Sequence, residues 1–402
     1  MARLLSGHPW IFKSDVMRLS KDCPDKSIVG IRGPNGQWLG RGLYSNASDL
    51  WIRTLTRGRE RIDRTWFMGM LERALVYRVN IFPRGSAFRW VHGEADGLPG
   101  LFVDLYKDSL SIQVLSSALE SMLDMILELL VEVAGKTEWF ENGIKNLVLR
   151  NDASARKHES LQKDIKVFET NGFGCKLEER TDIEGAGLPV TYGEWNDLVF
   201  TTDLVRGQKT GDFLDQQENH LESRKYAMGP ALDVFSYHGG FALNLARAGS
   251  SRVTSVEAGD DACAVIGMNA ERNSLADRIK VVKANAFDYL RDRDASNDRY
   301  QVVVLDPPSL AKKKSSLDSA LRGYKELNLR AMKLVERGGV IITCCCSPHV
   351  NAFEFDNILS AAAADTGRTI QVLEKRGAGR DHPVRLGVPE TEYLKCWFLR
   401  VL

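Results

Sequence analysis

The spacing of apolar positions changes three times along the chain. From residue 1 to about 65, short β-type runs alternate with turns: Ile28-Val29-Gly30-Ile31, then Gly33-Pro34-Asn35-Gly36, then Gln37-Trp38-Leu39-Gly40. Asn-Gly between two such runs is a strong hairpin signal, because a tight two-residue turn needs positive φ. Trp51-Ile52-Arg53-Thr54-Leu55 is a further strand, so this segment reads as a small β barrel or sandwich.

The next segment, about 66 to 180, opens with a helical pattern from Trp66 to Asn80. Strand-like runs follow at Phe88–Val91, Gly100–Tyr106 and Ser109–Leu115, then a helix near 118–134 and another strand at Asn146–Arg150. That order predicts a compact α+β unit, with the polar stretch from Asn151 to Gly187 as a joining segment. From about 190 the texture becomes strand-helix alternation. The strands predicted are Ala231–Phe235, Arg252–Glu257, Ile279–Lys283, Gln301–Leu305 and Gly339–Thr343. Such spacing is the mark of a parallel, doubly wound sheet. The expected division is therefore residues 1–66, 67–185 and 186–402.

Length and charge sharpen this picture. At 402 residues the chain is too long for one hydrophobic core. The longest apolar stretch, Leu119 to Val133, carries Glu120, Asp124, Glu128 and Glu132, which predicts an amphipathic helix and no membrane span. The opening residues lack a basic segment followed by an apolar one, and seven irregularly spaced cysteines suit reduced thiols, so a cytoplasmic protein is expected. Net charge is +1, but residues 1–90 hold 16 Lys or Arg against 7 Asp or Glu, a surplus of nine. A basic N-terminal module suggests a polyanion-binding appendage, with a solvated face of a small β domain as the plainer reading.

Ligands of an open α/β sheet bind beyond the carboxyl ends of its strands, and the candidate chemistry falls there. The first strand runs into Phe235-Ser236-Tyr237-His238-Gly239-Gly240 and the second ends at Glu257, whose carboxylate can accept both ribose hydroxyls of an adenosyl ligand. There is no G-x-G-x-x-G string, which excludes the usual dinucleotide fingerprint. The fourth strand meets Asp306-Pro307-Pro308, whose prolines force a rigid exit and present a carboxylate suited to a ring N3 or amino group of a flipped base. The fifth ends in Cys344-Cys345-Cys346-Ser347. Three consecutive cysteines are too tight for one tetrahedral metal, and no metal is expected. Cys344 and Cys345 suit small buried residues. Cys346, past the strand, suits a thiolate that attacks carbon 6 of cytosine and makes carbon 5 nucleophilic. Lys312, Lys313, Arg322 and Lys325 could hold phosphates around that base, or simply be solvated.

The chain resembles the RlmI-type 23S ribosomal RNA (cytosine-5) methyltransferases over essentially its whole length. The residues that carry the likeness include Gly7-His8-Pro9-Trp10, Gly93-Glu94-Ala95-Asp96-Gly97-Leu98-Pro99-Gly100 and Thr210-Gly211-Asp212-Phe213-Leu214-Asp215-Gln216. Phe235–Phe241, Asp306-Pro307-Pro308, Arg322–Lys325, Cys346-Ser347 and Asp381-His382-Pro383 complete them. The resemblance implies an N-terminal PUA domain, a central α+β domain and a C-terminal Rossmann-like class I methyltransferase domain. It implies S-adenosylmethionine as cofactor and RNA, 23S ribosomal RNA, as partner, with a monomer or homodimer acting. By position it implies Cys346 as nucleophile and Asp306 at the methyl-transfer site. Phe235, Ser236, Tyr237, Gly239 and Glu257 would line the donor pocket, with Asp215 and Gln216 nearby. Asn285 stands where the family usually has Asp beside the adenine, His238 where Thr is common, and Gln217 where Arg is common. Two other readings stay open: the same fold methylating guanine or another RNA without a cysteine nucleophile, and a non-catalytic RNA-binding factor.

Overall fold

The computed structural model describes residues 2–172, 177–180, 187–194, 197–296, 298–311 and 313–402. They form two compact units. The first comprises 1–196, 202–214 and 380–391; the second comprises 197–201, 215–379 and 392–402.

Two sheets make up the first unit. A four-stranded antiparallel sheet runs in the order Trp10–Phe12, Leu50–Thr56, Trp38–Tyr44, Ser27–Arg32. The Asn-Gly hairpin forms where expected: Gly33 N–H donates to the Gln37 carbonyl at 2.8 Å, and Gly36 takes φ of 77°, a conformation open to glycine. Three guanidiniums surround the Trp38 ring on this sheet, Arg32, Arg41 and Arg59, at 5.7, 5.8 and 5.0 Å from its centroid. Among the described residues none of the three forms an ion pair, and Arg41 Nε is buried without a hydrogen-bond partner.

The second sheet has six strands, ordered Glu178–Glu179, Asp164–Gly172, Ile144–Asn151, Ser109–Val114, Leu101–Tyr106, Phe88–His92. Helix Arg64–Val79 packs on it, capped by Asp63, whose carboxylate accepts the Trp66 N–H. The helix expected near 118–134 is two helices, Ser117–Glu120 and Leu123–Gly135, interrupted at Ser121-Met122. Nor is the stretch after Asn151 only a joining segment: Asp164–Gly172 pairs antiparallel with Ile144–Asn151. Its outward residues are polar because it lies near the sheet edge, which hides it from a search for apolar runs. The string Asp381-His382 is structural here. Asp381 accepts the Arg89 N–H at 2.8 Å, its backbone carbonyl accepts from Arg78 at 2.7 Å, and its carboxylate meets His382 Nδ1 at 2.8 Å.

The second unit carries a seven-stranded sheet ordered Ile279–Lys283, Arg252–Glu257, Pro230–Val234, Tyr300–Leu305, Val335–Cys345, Lys395–Val401, Ile370–Arg376. All five predicted strands are present, and they pair in parallel. The last two were not foreseen and are antiparallel, so the sheet is mixed. Strand order reverses between Pro230–Val234 and Tyr300–Leu305, and such a switch point opens a crevice at the carboxyl ends. Register aligns those ends: Val234 lies opposite Leu305, and Leu305 opposite Thr343. The core beneath is apolar, with Leu232, Val234, Val303, Leu305 and Ile341 fully buried. Among the described residues no helix is long and apolar enough to cross a membrane, and no cluster of side chains could hold a metal ion.

Candidate functional site

Every residue that gathers around the crevice belongs to the second unit. The turn after the first strand is wound tightly by its backbone. Phe235 and Ser236 N–H groups both donate to the Val256 carbonyl, and Phe235, Tyr237 and Gly239 take φ of 66°, 49° and 85°. Positive φ in two bulky residues is strained. Buried Asp233 offsets the strain by accepting the Ser236 hydroxyl at 2.6 Å and the Ala242 N–H at 3.1 Å. A Cβ on Gly239 would come within 2.5 Å of Leu243, so this position leads into the helix Gly240–Ala248 only as glycine.

Glu257 faces the turn. Its Oε1 accepts from the backbone N–H groups of Ala258 and Gly259, at 2.7 and 3.0 Å, and its Oε2 from that of Tyr237, at 3.0 Å. An ionised carboxylate has about four acceptor positions, so these three bonds leave Oε2 able to accept one more. Asn285 sits exposed at the next strand end and caps helix Ala286–Ala295. Its side-chain oxygen accepts from Phe287 and Asp288 N–H groups at 3.0 and 3.3 Å. That oxygen is therefore engaged in the cap, and the amide nitrogen is what Asn285 offers beyond it.

The Asp306-Pro307-Pro308 turn and Cys346 come together at the strand ends, while buried Cys344 lies near Asp306 and Gln216. The Cys346 thiol donates to the Pro307 carbonyl at 3.6 Å, which sets the sulfur against the Asp-Pro-Pro turn. Gln216 Nε2 donates to Asp306 Oδ2 at 3.0 Å, while Gln216 Oε1 accepts from Asn219 at 2.7 Å, so one carboxylate oxygen is held and the other left toward the crevice. Asp215 accepts the Tyr393 hydroxyl at 2.6 Å. Burial, and then the charges of Asp215 and Asp233, push the Asp306 carboxyl up to about 7. Asp233 is pushed up to about 6, chiefly by burial. Three acidic side chains in one low-dielectric crevice favour a cationic ligand.

Four side chains here escaped the reading of the sequence as a functional group. Ser347 is fully buried and its hydroxyl is a hub: Tyr324 OH lies at 2.9 Å, Ser309 Oγ at 3.1 Å, and the Ala311 N–H donates to it at 3.1 Å. It thereby ties the loop after Cys346 to the loop after Asp306. Lys395 is buried and donates to the carbonyls of Ser347, Val350 and Tyr393. Ser347 and Tyr324 stand inside strings already singled out; Ser309 and Lys395 carried no local signal.

Two of the basic residues, Arg322 and Lys325, line the same groove. Lys313 is exposed, and its carbonyl accepts the Ser316 hydroxyl. Lys325 forms an ion pair with Asp365 at 2.8 Å, and Arg322 lines a groove of about 330 Å³ between helices Leu317–Leu334 and Ala352–Thr366. On their helix Tyr324 turns toward Ser347, and Arg322, two residues away, projects from a different face. Lys312 lies outside the described residues.

Residues 2–57 match the PUA-like domain family, and residues 185–383 match the S-adenosylmethionine-dependent methyltransferase family. Proteins named ribosomal RNA large subunit methyltransferase I are similar over nearly the whole chain. That of Aeromonas hydrophila is 33% identical, covering 99% of this chain and 96% of its own. That of Vibrio cholerae is 32% identical, covering 98% and 96%. Among solved structures, a protein assigned as a methyltransferase and complexed with SAH superposes with a TM-score of 0.79 at 19% identity, covering 100% of this chain and 97% of the other. One from Streptococcus mutans, assigned as S-adenosylmethionine-dependent, gives 0.77 at 18%, with the same coverage. Full-length similarity above 30%, a PUA-like segment and a Rossmann-like sheet with its crevice place this chain in the ribosomal RNA large subunit methyltransferase I family of S-adenosylmethionine-dependent methyltransferases.

Proposed function

We propose that this enzyme forms 5-methylcytosine in 23S ribosomal RNA, with Cys346 as nucleophile and Asp306 as the acid at N3. The observation that carries the reading is the Cys346 sulfur resting on the Asp306-Pro307-Pro308 turn. A thiolate there adds to carbon 6; the carbon 5–carbon 6 π pair moves into the ring, and the proton on the free oxygen of Asp306 stabilises the charge reaching N3. S-adenosylmethionine supplies an electrophilic methyl group to carbon 5. S-adenosylhomocysteine leaves, and a base takes the carbon 5 proton. The electrons of that bond form the carbon 5–carbon 6 double bond as the carbon–sulfur bond breaks and expels the thiolate, and N3 returns its proton to Asp306. Guanine nitrogens need no such adduct, so a cysteine seated beside the acid favours cytosine over the guanine reading. In this account residues 186–402 are the catalytic part, 67–185 the central part and 1–66 the RNA-docking part.

RNA in which the target cytidine carries fluorine at carbon 5 tests this directly, because fluorine cannot leave as a proton does. With S-adenosylmethionine present, the wild-type chain is expected to form an adduct that survives denaturation and maps to Cys346. Turnover without an adduct would remove the covalent step.

Glu257 and the turn Phe235, Ser236, Tyr237 and Gly239 hold the adenosyl and methionyl parts of the donor, with Asp215 and Gln216 bordering them. Asn285→Asp is expected to tighten donor binding about fivefold. One carboxylate oxygen keeps the helix cap, and the second gains the exocyclic amine of the adenine, a hydrogen bond worth about 1 kcal/mol. Calorimetric titration with S-adenosylhomocysteine checks it; equal or weaker binding goes against placing Asn285 beside the adenine.

The arginines around Trp38 supply RNA contacts from the first unit. Like charges crowded on one indole, none of them in an ion pair among the described residues, are suited to a phosphate backbone. Changing Arg32, Arg41 and Arg59 together to Gln is expected to raise KM for RNA about tenfold with kcat unchanged. It should also flatten the dependence of log affinity on log salt by about 2, at roughly 0.7 per phosphate on a single strand. An unchanged slope in filter binding would remove these residues from the RNA interface.

A further inference from the structure

Lys395 has an environment that ion pairing within the fold does not explain. It opens the antiparallel strand Lys395–Val401, directly opposite Cys345, at the end of the sheet where the crevice lies. Its ammonium is buried, and its three hydrogen bonds, at 3.1, 2.6 and 2.8 Å, all go to neutral backbone carbonyls: Ser347, Val350 and Tyr393. Among the described residues no carboxylate lies within ion-pair distance of it. Two of those carbonyls belong to the loop that leaves Cys346. A buried cation held only by neutral groups is costly, and the cost falls when an anion forms close by.

We propose that Lys395 is a positioning residue for the cysteine: it clamps the Cys346–Val350 loop and supplies the positive charge that stabilises the Cys346 thiolate. This rests on the reading of Cys346 as nucleophile. Burial pulls the Lys395 ammonium below its ordinary range, while Cys345 and Cys346, then Glu392 and Glu354, act to raise it. Tyr324, from helix Leu317–Leu334, faces both thiols and is driven upward mainly by burial; Asp306 flanks Cys346 through its turn, and His349 is exposed on the same loop. Of these groups Lys395 is the buried cation. Its electrostatic effect requires no donor or RNA, so it can be read on the free protein.

The test is the pH dependence of iodoacetamide alkylation at Cys346, resolved by peptide mass spectrometry, in the full chain and in three variants. Lys395→Gln keeps a donor for the carbonyls but removes the charge, Lys395→Met removes both, and Lys395→Arg keeps the charge. The apparent pKa of Cys346 should rise by about one unit in Lys395→Gln, which lowers alkylation near neutrality about tenfold, with Lys395→Arg close to wild type. Profiles that coincide for wild type and Lys395→Gln, both still binding S-adenosylhomocysteine, overturn the proposal. Should Lys395→Met fail to fold, the Gln and Arg pair still decides. The nucleophile reading is judged separately, by methyl transfer in Cys346→Ala, so a shifted alkylation profile beside an active Cys346→Ala would contradict that reading while the charge coupling stood.

Discussion

Cys346→Ala is expected to lower methyl transfer to RNA by at least about a thousandfold while S-adenosylmethionine binds within about twofold of wild type. The split follows from where the sulfur sits. It contacts the Pro307 carbonyl at the end of the fifth parallel strand, whereas the strained turn and Glu257 lie at the ends of the first and second. Removing one half-buried sulfur leaves the Ser347 hub and the Lys395 clamp in place, so the loop should keep its path. Single-turnover methylation and calorimetric donor titration measure the two effects independently. A variant that retains a tenth of the wild-type rate would show that the reaction does not pass through a bond to this sulfur.

Asp306→Asn should move stability and activity in opposite directions. The carboxyl titrates near 3.8 when unfolded and about 7 when folded, raised by burial first and by Asp215 next. Between those values the folded chain holds the extra proton, so stability is fullest below about pH 4 and falls as pH rises toward 7. Three units correspond to about 4 kcal/mol at most; partial exposure of the side chain brings that to roughly 1–3 kcal/mol. Asn cannot ionise, so at pH 8 the variant should melt a few degrees higher than wild type, while at pH 4 the two should converge. Asp233, pushed up to about 6 chiefly by burial, adds to the same fall in both proteins, and because its charge and that of Asp306 repel, the amide also eases the Asp233 part and widens the gap at pH 8. Activity goes the other way. An amide can donate to N3 but cannot carry a proton to it, so kcat should drop about a hundredfold. The fall in wild-type kcat/KM above about pH 7 that Asp306 causes should also vanish. Equal melting temperatures across pH 5–8 would contradict the raised carboxyl; full activity in Asp306→Asn would contradict its role.

The central strands Pro230–Val234 and Tyr300–Leu305 were legible because they are buried on both faces and read as nearly continuous apolar runs, each followed by turn residues of defined chemistry. Asp306 and Cys346 were legible for a related reason: strand ends in a parallel sheet share one edge, so residues forty positions apart are neighbours. What escaped notice depends on pairing that no local pattern records. Ile370–Arg376 is an edge strand carrying Gln371, Glu374 and Lys375, and it takes its place from its neighbour Lys395–Val401. Without that antiparallel pair there is no reason to bring Lys395 to the cysteine loop, since forty-eight residues separate it from Ser347. Gln216 reached notice only through a family string; its bond to Asp306 spans ninety residues and crosses from a helix start to a strand end. Of the basic residues after Asp306, Arg322 and Lys325 share one groove of the helix pair, where Lys325 turns to Asp365, away from the Tyr324–Ser347 contact.

The identity of the modified base is tested most directly by one measurement. Protein-free large-subunit RNA is incubated with the full chain and methyl-labelled S-adenosylmethionine, digested to nucleosides and separated. The account predicts label in 5-methylcytidine. Label confined to a methylated guanosine would contradict it, and with it the assignment of Cys346 as nucleophile.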